Sequence, residues 1–218
     1  MISALCFDLD GTLAHYTGDF AELNRVTFES LNLPQQYFKA SLDSFARGVR
    51  QEGYSTVPII IENVLNDLGL VSDNVLAASE LMISEYVKDM ALLPGAKEVL
   101  EACAHLPRAI ITNGPSDMQR AAIKQVGLEN EFRAMVVSGD DDVAVRKPNP
   151  KIFEIACERL NVAPESILMI GDNLEADVRG ALAYGMSAIW IGQDGSEDVE
   201  QVADTKALAE RLKESFAG

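Results

Sequence analysis

The sequence is poor in positive charge: 18 Lys and Arg stand against 34 Asp and Glu, a formal net charge of −16. Such a chain repels polyanions, which argues against nucleic acid or an anionic membrane as its main partner. An anionic substrate would need a locally positive place, supplied by a metal or a few chosen lysines. Cysteine is scarce too. Cys6, Cys103 and Cys157 are odd in number and each lies among apolar neighbours. They read as small buried hydrophobes of a reducing compartment rather than catalytic or metal-binding thiols. No apolar run approaches the length of a membrane span, and ISALCF at the start is too short for the apolar core of a secretion signal. The expected location is therefore the cytoplasm. Internal repeats and low-complexity segments are missing as well. What remains is an ordinary globular composition, 48% apolar and 24% charged, in 218 residues. That suffices for one domain, or one domain with an insertion.

Against this background one stretch stands out. Residues 2–7 suit a buried strand and run straight into Asp8-Leu9-Asp10-Gly11-Thr12. In an extended chain, residues two apart point to the same side. Two carboxylates so placed repel, and one of them either takes up a proton or shares a cation. Gly11 permits a sharp turn, and Thr12 reads as a residue that shapes the loop.

From Ala91 onward, β-rich runs alternate with helical ones. RAIIT (108–112), AMVVS (134–138), SILMIG (166–171) and SAIWIG (187–192) are the strands. PGAKEVLEACAHL, PSDMQRAAIKQVGL, NPKIFEIACERLNV and EADVRGALAYGM are the helical segments between them. Pro94, Pro115 and Pro150 fall near helix starts, and Gly127 and Gly185 near helix ends, where each is favoured. The alternation predicts an α/β fold: a doubly wound, Rossmann-like parallel sheet with helices on both faces. Residues 15–92 show helical spacing and no convincing strand. Phe38, Leu42, Phe45 and Val49 make one apolar stripe; Val64, Leu65 and Leu68 follow, then Val75, Leu76, Met82, Ile83, Tyr86 and Val87 behind Ser72 as the expected N-cap. The predicted division is a core of residues 1–14 and 93–218 with a helical cap of residues 15–92. Gly18 and Gly95 are the candidate hinges.

In such sheets ligands bind beyond the carboxyl ends of the strands. The unusual polar residues fall there: Asp8 and Asp10 after the first strand, Thr112 and Asn113 after RAIIT, Lys147 in RKPNP, and Asp172 with Asp177 after SILMIG. The joint pattern is much stronger than any single piece. In DLDGTL, ITNG, RKPNP and GDNLEAD, in this order and over nearly the whole length, the chain resembles the haloacid dehalogenase superfamily hydrolases that carry an all-helical cap after the first strand. One departure is Ala144, where relatives often carry Gly ahead of the motif lysine.

The resemblance implies a phosphatase acting on a small phosphorylated metabolite. Asp8 is the expected nucleophile, forming an aspartyl-phosphate, and Asp10 the general acid and base. It also implies magnesium held by the Asp8 carboxylate, the Asp10 carbonyl and Asp172, with Asp177 behind them orienting a metal-bound water or Lys147. The Thr112 hydroxyl and the Asn113 N–H would hold phosphoryl oxygens, and Lys147 would meet the developing charge. A dehalogenase would not need Asp10, a mutase uses the same core residues, and a receiver-like signalling module carries its acceptor on an interior strand. Substrate choice is expected on the cap, where Arg47, Arg50 and Lys39 are candidates for a second anion, although Arg47 and Arg50 sit off the apolar stripe. His15 begins the insertion near the acid pair, and His105 reads as a helix-end partner. The sequence does not indicate an oligomeric state.

Overall fold

The computed structural model describes residues 1–193 and 198–216. Strand β1 (Ala4–Phe7) leads through a short β2 (Ala14–Tyr16) into four helices: α1 (Phe20–Ser30), α2 (Phe38–Gly48), α3 (Val57–Asp67) and α4 (Val75–Lys88). The chain returns through β3 (Met90–Leu92), antiparallel to β2. Alternation follows: α5 (Ala96–Ala102), β4 (Arg108–Thr112), α6 (Ser116–Gln125), β5 (Ala134–Val137), α7 (Pro150–Leu160), β6 (Ile167–Gly171), α8 (Gly180–Tyr184), β7 (Ser187–Ile191), β8 (Glu200–Val202) and α9 (Thr205–Phe216). One parallel sheet takes the order β5-β4-β1-β6-β7-β8. The expected α/β class is observed.

Strand β1 shows why the sheet is covered on both sides. Its side chains alternate between two separate cores: Leu5 and Phe7 pack with α5, α6, α9 and the inserted helices, while Ala4 and Cys6 pack with α7 and α8. All four are fully buried, which explains a continuous apolar run where a half-exposed strand would alternate. Each buried Leu or Phe contributes roughly 1.5–3 kcal/mol relative to exposure. Helix α7 illustrates local encoding. Asn149 accepts from the Lys151 N–H at 3.0 Å, Pro150 begins the helix, and Asn161 ends it at φ 58°.

Several expectations need correction. Residues 15–92 are not free of strand, because β2 and β3 form a two-stranded ribbon at the two ends of the insertion. Three residues are too short to display a period. Ser72 does not cap α4. That helix starts after Asn74, and the Ser72 hydroxyl accepts from the Asn74 N–H one turn earlier. The segment expected as one helix after β6 is a π-helical turn, Leu174–Arg179, joined to the short α8. Gly127 and Gly185 do adopt left-handed backbone at φ 74° and 100°.

The insertion is tied down over the strand ends of the sheet. The Ser55 N–H donates to the Gly139 carbonyl at 3.1 Å, and the Ser116 N–H donates to the Ser55 carbonyl at 2.8 Å. Gly139 has no Cβ, and one there would stand 2.7 Å from the Ser55 oxygen. The Val57 N–H, at the start of α3, donates to the Asp117 carboxylate. These contacts roof the strand ends and enclose the space described next.

Candidate active site

Asp8 follows directly on β1, and its N–H donates to the Ile170 carbonyl of β6, which fixes where the side chain starts. Its carboxylate accepts a 2.6 Å hydrogen bond from the Lys147 ammonium. That ammonium also donates to the Ile111 carbonyl at 2.5 Å and lies 2.7 Å from Asp177 Oδ1. Lys147 is 5% exposed. Burial works against its charge, yet Asp177 and Asp8 outweigh burial and hold the ammonium above its ordinary range. Burial likewise pushes the Asp8 carboxyl up, and Lys147 pulls it back.

Three carboxylates meet here. Oxygens of Asp8, Asp172 and Asp177 all lie within 4.8 Å of one another. Against them stands one ammonium, so the group carries surplus negative charge built from hard oxygen donors, which suits a small divalent cation. Two glycines make the approach possible. Gly11, at φ 81°, leaves the place where a Cβ would come within 2.3 Å of Asp172 Oδ2, and Gly171 does the same for Asp177. Asp177 is held in turn by the Asn173 N–H, which donates to its Oδ2 at 3.0 Å.

Asp10 faces a different set of neighbours. Gln119 Nε2 of α6 donates to Asp10 Oδ2 at 3.0 Å, and the Tyr86 hydroxyl of α4 lies beside the same carboxyl group. Gln119 Oε1 accepts from the Thr112 hydroxyl at 3.1 Å. The Thr112 hydroxyl, expected to point at phosphate, is therefore engaged with Gln119. Burial raises the Asp10 carboxyl above its usual range, opposed by Gln119 and Lys147. Neither Gln119 nor Tyr86 was singled out in the sequence. Gln119 is 5% exposed and Tyr86 3%; one reads as a helix-surface amide and the other as part of an apolar stripe.

The loop that carries Lys147 is clasped to the end of β4. Lys147 N–H donates to Asn113 Oδ1 at 2.9 Å, and Asn113 Nδ2 donates back to the Lys147 carbonyl at 3.1 Å. Ala144, the departure from the family pattern, stands in that loop at φ 48°, a left-handed conformation that costs a residue with a Cβ roughly 1–2 kcal/mol. The structure thus brings Asp8, Asp10, Thr112, Asn113, Lys147, Asp172 and Asp177 to one edge. Arg47 is elsewhere, paired with Asp67 on the insertion surface. His105 packs edge-on against Phe216.

Beside Asp10 opens a cavity of about 330 Å³, floored by Asp10, Asn113 and Gln119 and walled by Tyr16, Phe20, Phe45, Val49 and Tyr86. Gly11, His15, Pro115 and Met118 complete it. A second hollow, about 220 Å³, lies between α1 and α2 and holds none of the strand-end residues.

A doubly wound sheet with carboxylates and a lysine at its strand ends defines a hydrolase of one recognisable class. A family model described as haloacid dehalogenase-like hydrolase matches residues 2–185, and the chain belongs to that family. It is 32% identical over 203 residues to the glyceraldehyde 3-phosphate phosphatase of Pyrococcus abyssi, covering 88% of this chain and 82% of that one. The phosphoserine phosphatase of Thermus thermophilus is 38% identical over 102 residues, but the match spans only 46% of this chain and 40% of that protein. A haloacid dehalogenase-type phosphatase structure from Thermococcus onnurineus superposes with a TM-score of 0.71 at 25% identity, covering 97% and 98% of the two chains. L-2-haloacid dehalogenase of Xanthobacter autotrophicus shares the fold at 22% identity and a TM-score of 0.67. The chain spans about half the length of some of the curated relatives it matches, and several of the proteins it resembles carry phosphatase names.

Proposed function

We propose that this protein hydrolyses small phosphate monoesters, with Asp8 as nucleophile and Asp10 as general acid and base. The observation that carries the reading is the unequal surroundings of two carboxyl groups two residues apart. Asp8 touches a buried ammonium and shares its space with Asp172 and Asp177. Asp10 is held by neutral donors at the mouth of a cavity. Burial raises both carboxyl groups; at Asp8 the adjoining Lys147 ammonium opposes this and favours the charged, attacking form, while at Asp10 burial favours the protonated form that a leaving oxygen requires.

The Asp8 carboxylate attacks phosphorus while Asp10 gives its proton to the departing alkoxide, leaving an aspartyl-phosphate and an alcohol. Asp10, now ionised, takes a proton from the water that hydrolyses this acyl phosphate, and Asp8 is regenerated. Lys147 sits where charge spreads over the phosphoryl oxygens, and positioning and charge neutralisation supply most of such catalysis. Asp177 keeps Lys147 in place. The carboxylates of Asp8 and Asp172 with the Asp10 carbonyl would hold magnesium, which supplies further positive charge to the phosphate when bound. Asn113, through its clasp on Lys147, fixes the ammonium relative to β4.

Domain division follows the same logic: the strand-end core performs the chemistry, and the inserted helices cover it and exclude water. Asp10 favours the phosphatase over a dehalogenase, which has no alkoxide to protonate. The test is turnover of 4-nitrophenyl phosphate with magnesium and with a chelator. Metal-dependent release of phosphate is expected, and failure on this and a broad panel of esters would refute the reading.

A further inference from the structure

Among the described residues, the wall that the insertion presents to the cavity beside Asp10 carries no Lys or Arg. Tyr16 and Phe20 lie with ring centroids 4.4 Å apart, and Tyr16 stacks on Tyr86 at 4.9 Å with 28° between planes. Phe20 is 54% exposed at the rim, its ring leaning on Tyr16 and 6.1 Å from that of Tyr86. Val49 and Phe45 continue the apolar surface. The cations of the insertion are directed elsewhere: Arg25 is paired with Glu22 and Glu29, Arg47 with Asp67, and neither Lys39 nor Arg50 lines the cavity. Burial and then Asp89, Asp19 and Glu85 raise the Tyr16 phenol. His15, Asn113 and Gln119 remain as hydrogen-bonding groups.

Resting on the phosphatase reading, we infer that the alcohol half of the substrate is uncharged and has a flat apolar face, the chemistry of a nucleoside 5′-monophosphate. A ring lies against Tyr16 and Phe20, where offset stacking adds to simple burial. Sugar hydroxyls find Asn113, Gln119 and His15. A substrate with a second phosphate or a carboxylate meets no cation on this wall, so desolvating its charge is uncompensated. The cavity volume lies at the small end of the range for small-molecule sites, roughly 300–1,000 Å³.

The experiment measures kcat/KM of the full chain with magnesium for uridine 5′-monophosphate, glyceraldehyde 3-phosphate, O-phosphoserine and ribulose 1,5-bisphosphate, with 4-nitrophenyl phosphate as the general ester. The nucleotide is expected to exceed phosphoserine and the bisphosphate at least tenfold. Phe20→Ala, at a half-exposed position, should lower kcat/KM for the nucleotide about tenfold, within the range base stacking contributes, and change phosphoserine far less. Val49→Lys should shift the ratio toward the bisphosphate. A preference for phosphoserine or the bisphosphate, or an equal effect of Phe20→Ala on all substrates, overturns the inference while 4-nitrophenyl phosphate turnover leaves the phosphatase reading standing. Absence of turnover on every ester overturns both.

Discussion

The two halves of the strand-end site are built from opposite materials. Around Asp8 the chain collects full charges at close range, Lys147, Asp172 and Asp177, all from the sheet core. Around Asp10 it collects neutral donors, Gln119 from α6 and Tyr86 from the insertion. Identical side chains two positions apart thereby meet different surroundings, and it is environment rather than residue type that sets proton affinity; the proposed mechanism assigns them different roles on that ground.

The sharpest way to break this comparison is Asp8→Asn. It keeps shape and removes the attacking charge, so turnover of 4-nitrophenyl phosphate should fall by roughly four orders of magnitude or more, as for other nucleophile deletions. Far-ultraviolet circular dichroism and thermal melting should show a folded protein. Activity within tenfold of the parent would sink the assignment. Next in size is Lys147→Met, which leaves Asp8 and Asp177 buried without their cation. A loss of about 10²–10³ in kcat is expected, together with about 3–5 kcal/mol of stability read by urea unfolding. Unchanged stability would mean that the buried ion pair contributes nothing to the fold.

The neutral half should respond differently. Gln119→Ala is expected to cost roughly tenfold on an alkyl phosphate, part of the 10²–10⁴ that a general acid supplies. On 4-nitrophenyl phosphate, whose leaving group needs little proton donation, the loss should be much smaller. Tyr86→Phe should follow the same pattern, and equal losses on both esters would show that these residues only support folding. The smallest effect belongs to Ala144→Gly. It removes a Cβ at φ 48°, and should stabilise the protein by up to about 1 kcal/mol in urea without lowering kcat. A destabilised variant would show that the loop gains more from the Ala144 methyl than it loses to strain.

Much of the core was legible because its signals are local. Five apolar runs announced β1, β4, β5, β6 and β7, and the strand-end rule then gathered Asp8, Asp10, Asn113, Lys147, Asp172 and Asp177 without coordinates. Strand β8, Glu-Gln-Val, was not read: an edge strand with two exposed polar residues carries no apolar period. Ribbon β2–β3 joins residues more than seventy positions apart, so neither partner announces the other. Tyr86 belongs to the stripe of α4 by spacing and to Asp10 by contact, and spacing alone could not separate the two.

By itself, then, the order of residues determined the sheet, the direction of its strands and which side chains could perform chemistry, since buried strands and turn residues are specified within a few positions. Tertiary structure alone decided that the Thr112 hydroxyl serves Gln119, that Asp10 stands among neutral donors, and that the cavity wall is aromatic and lacks Lys and Arg. Those facts arise where segments distant in sequence pack together, and desolvation and hydrogen bonding act on whatever the packing has made neighbours.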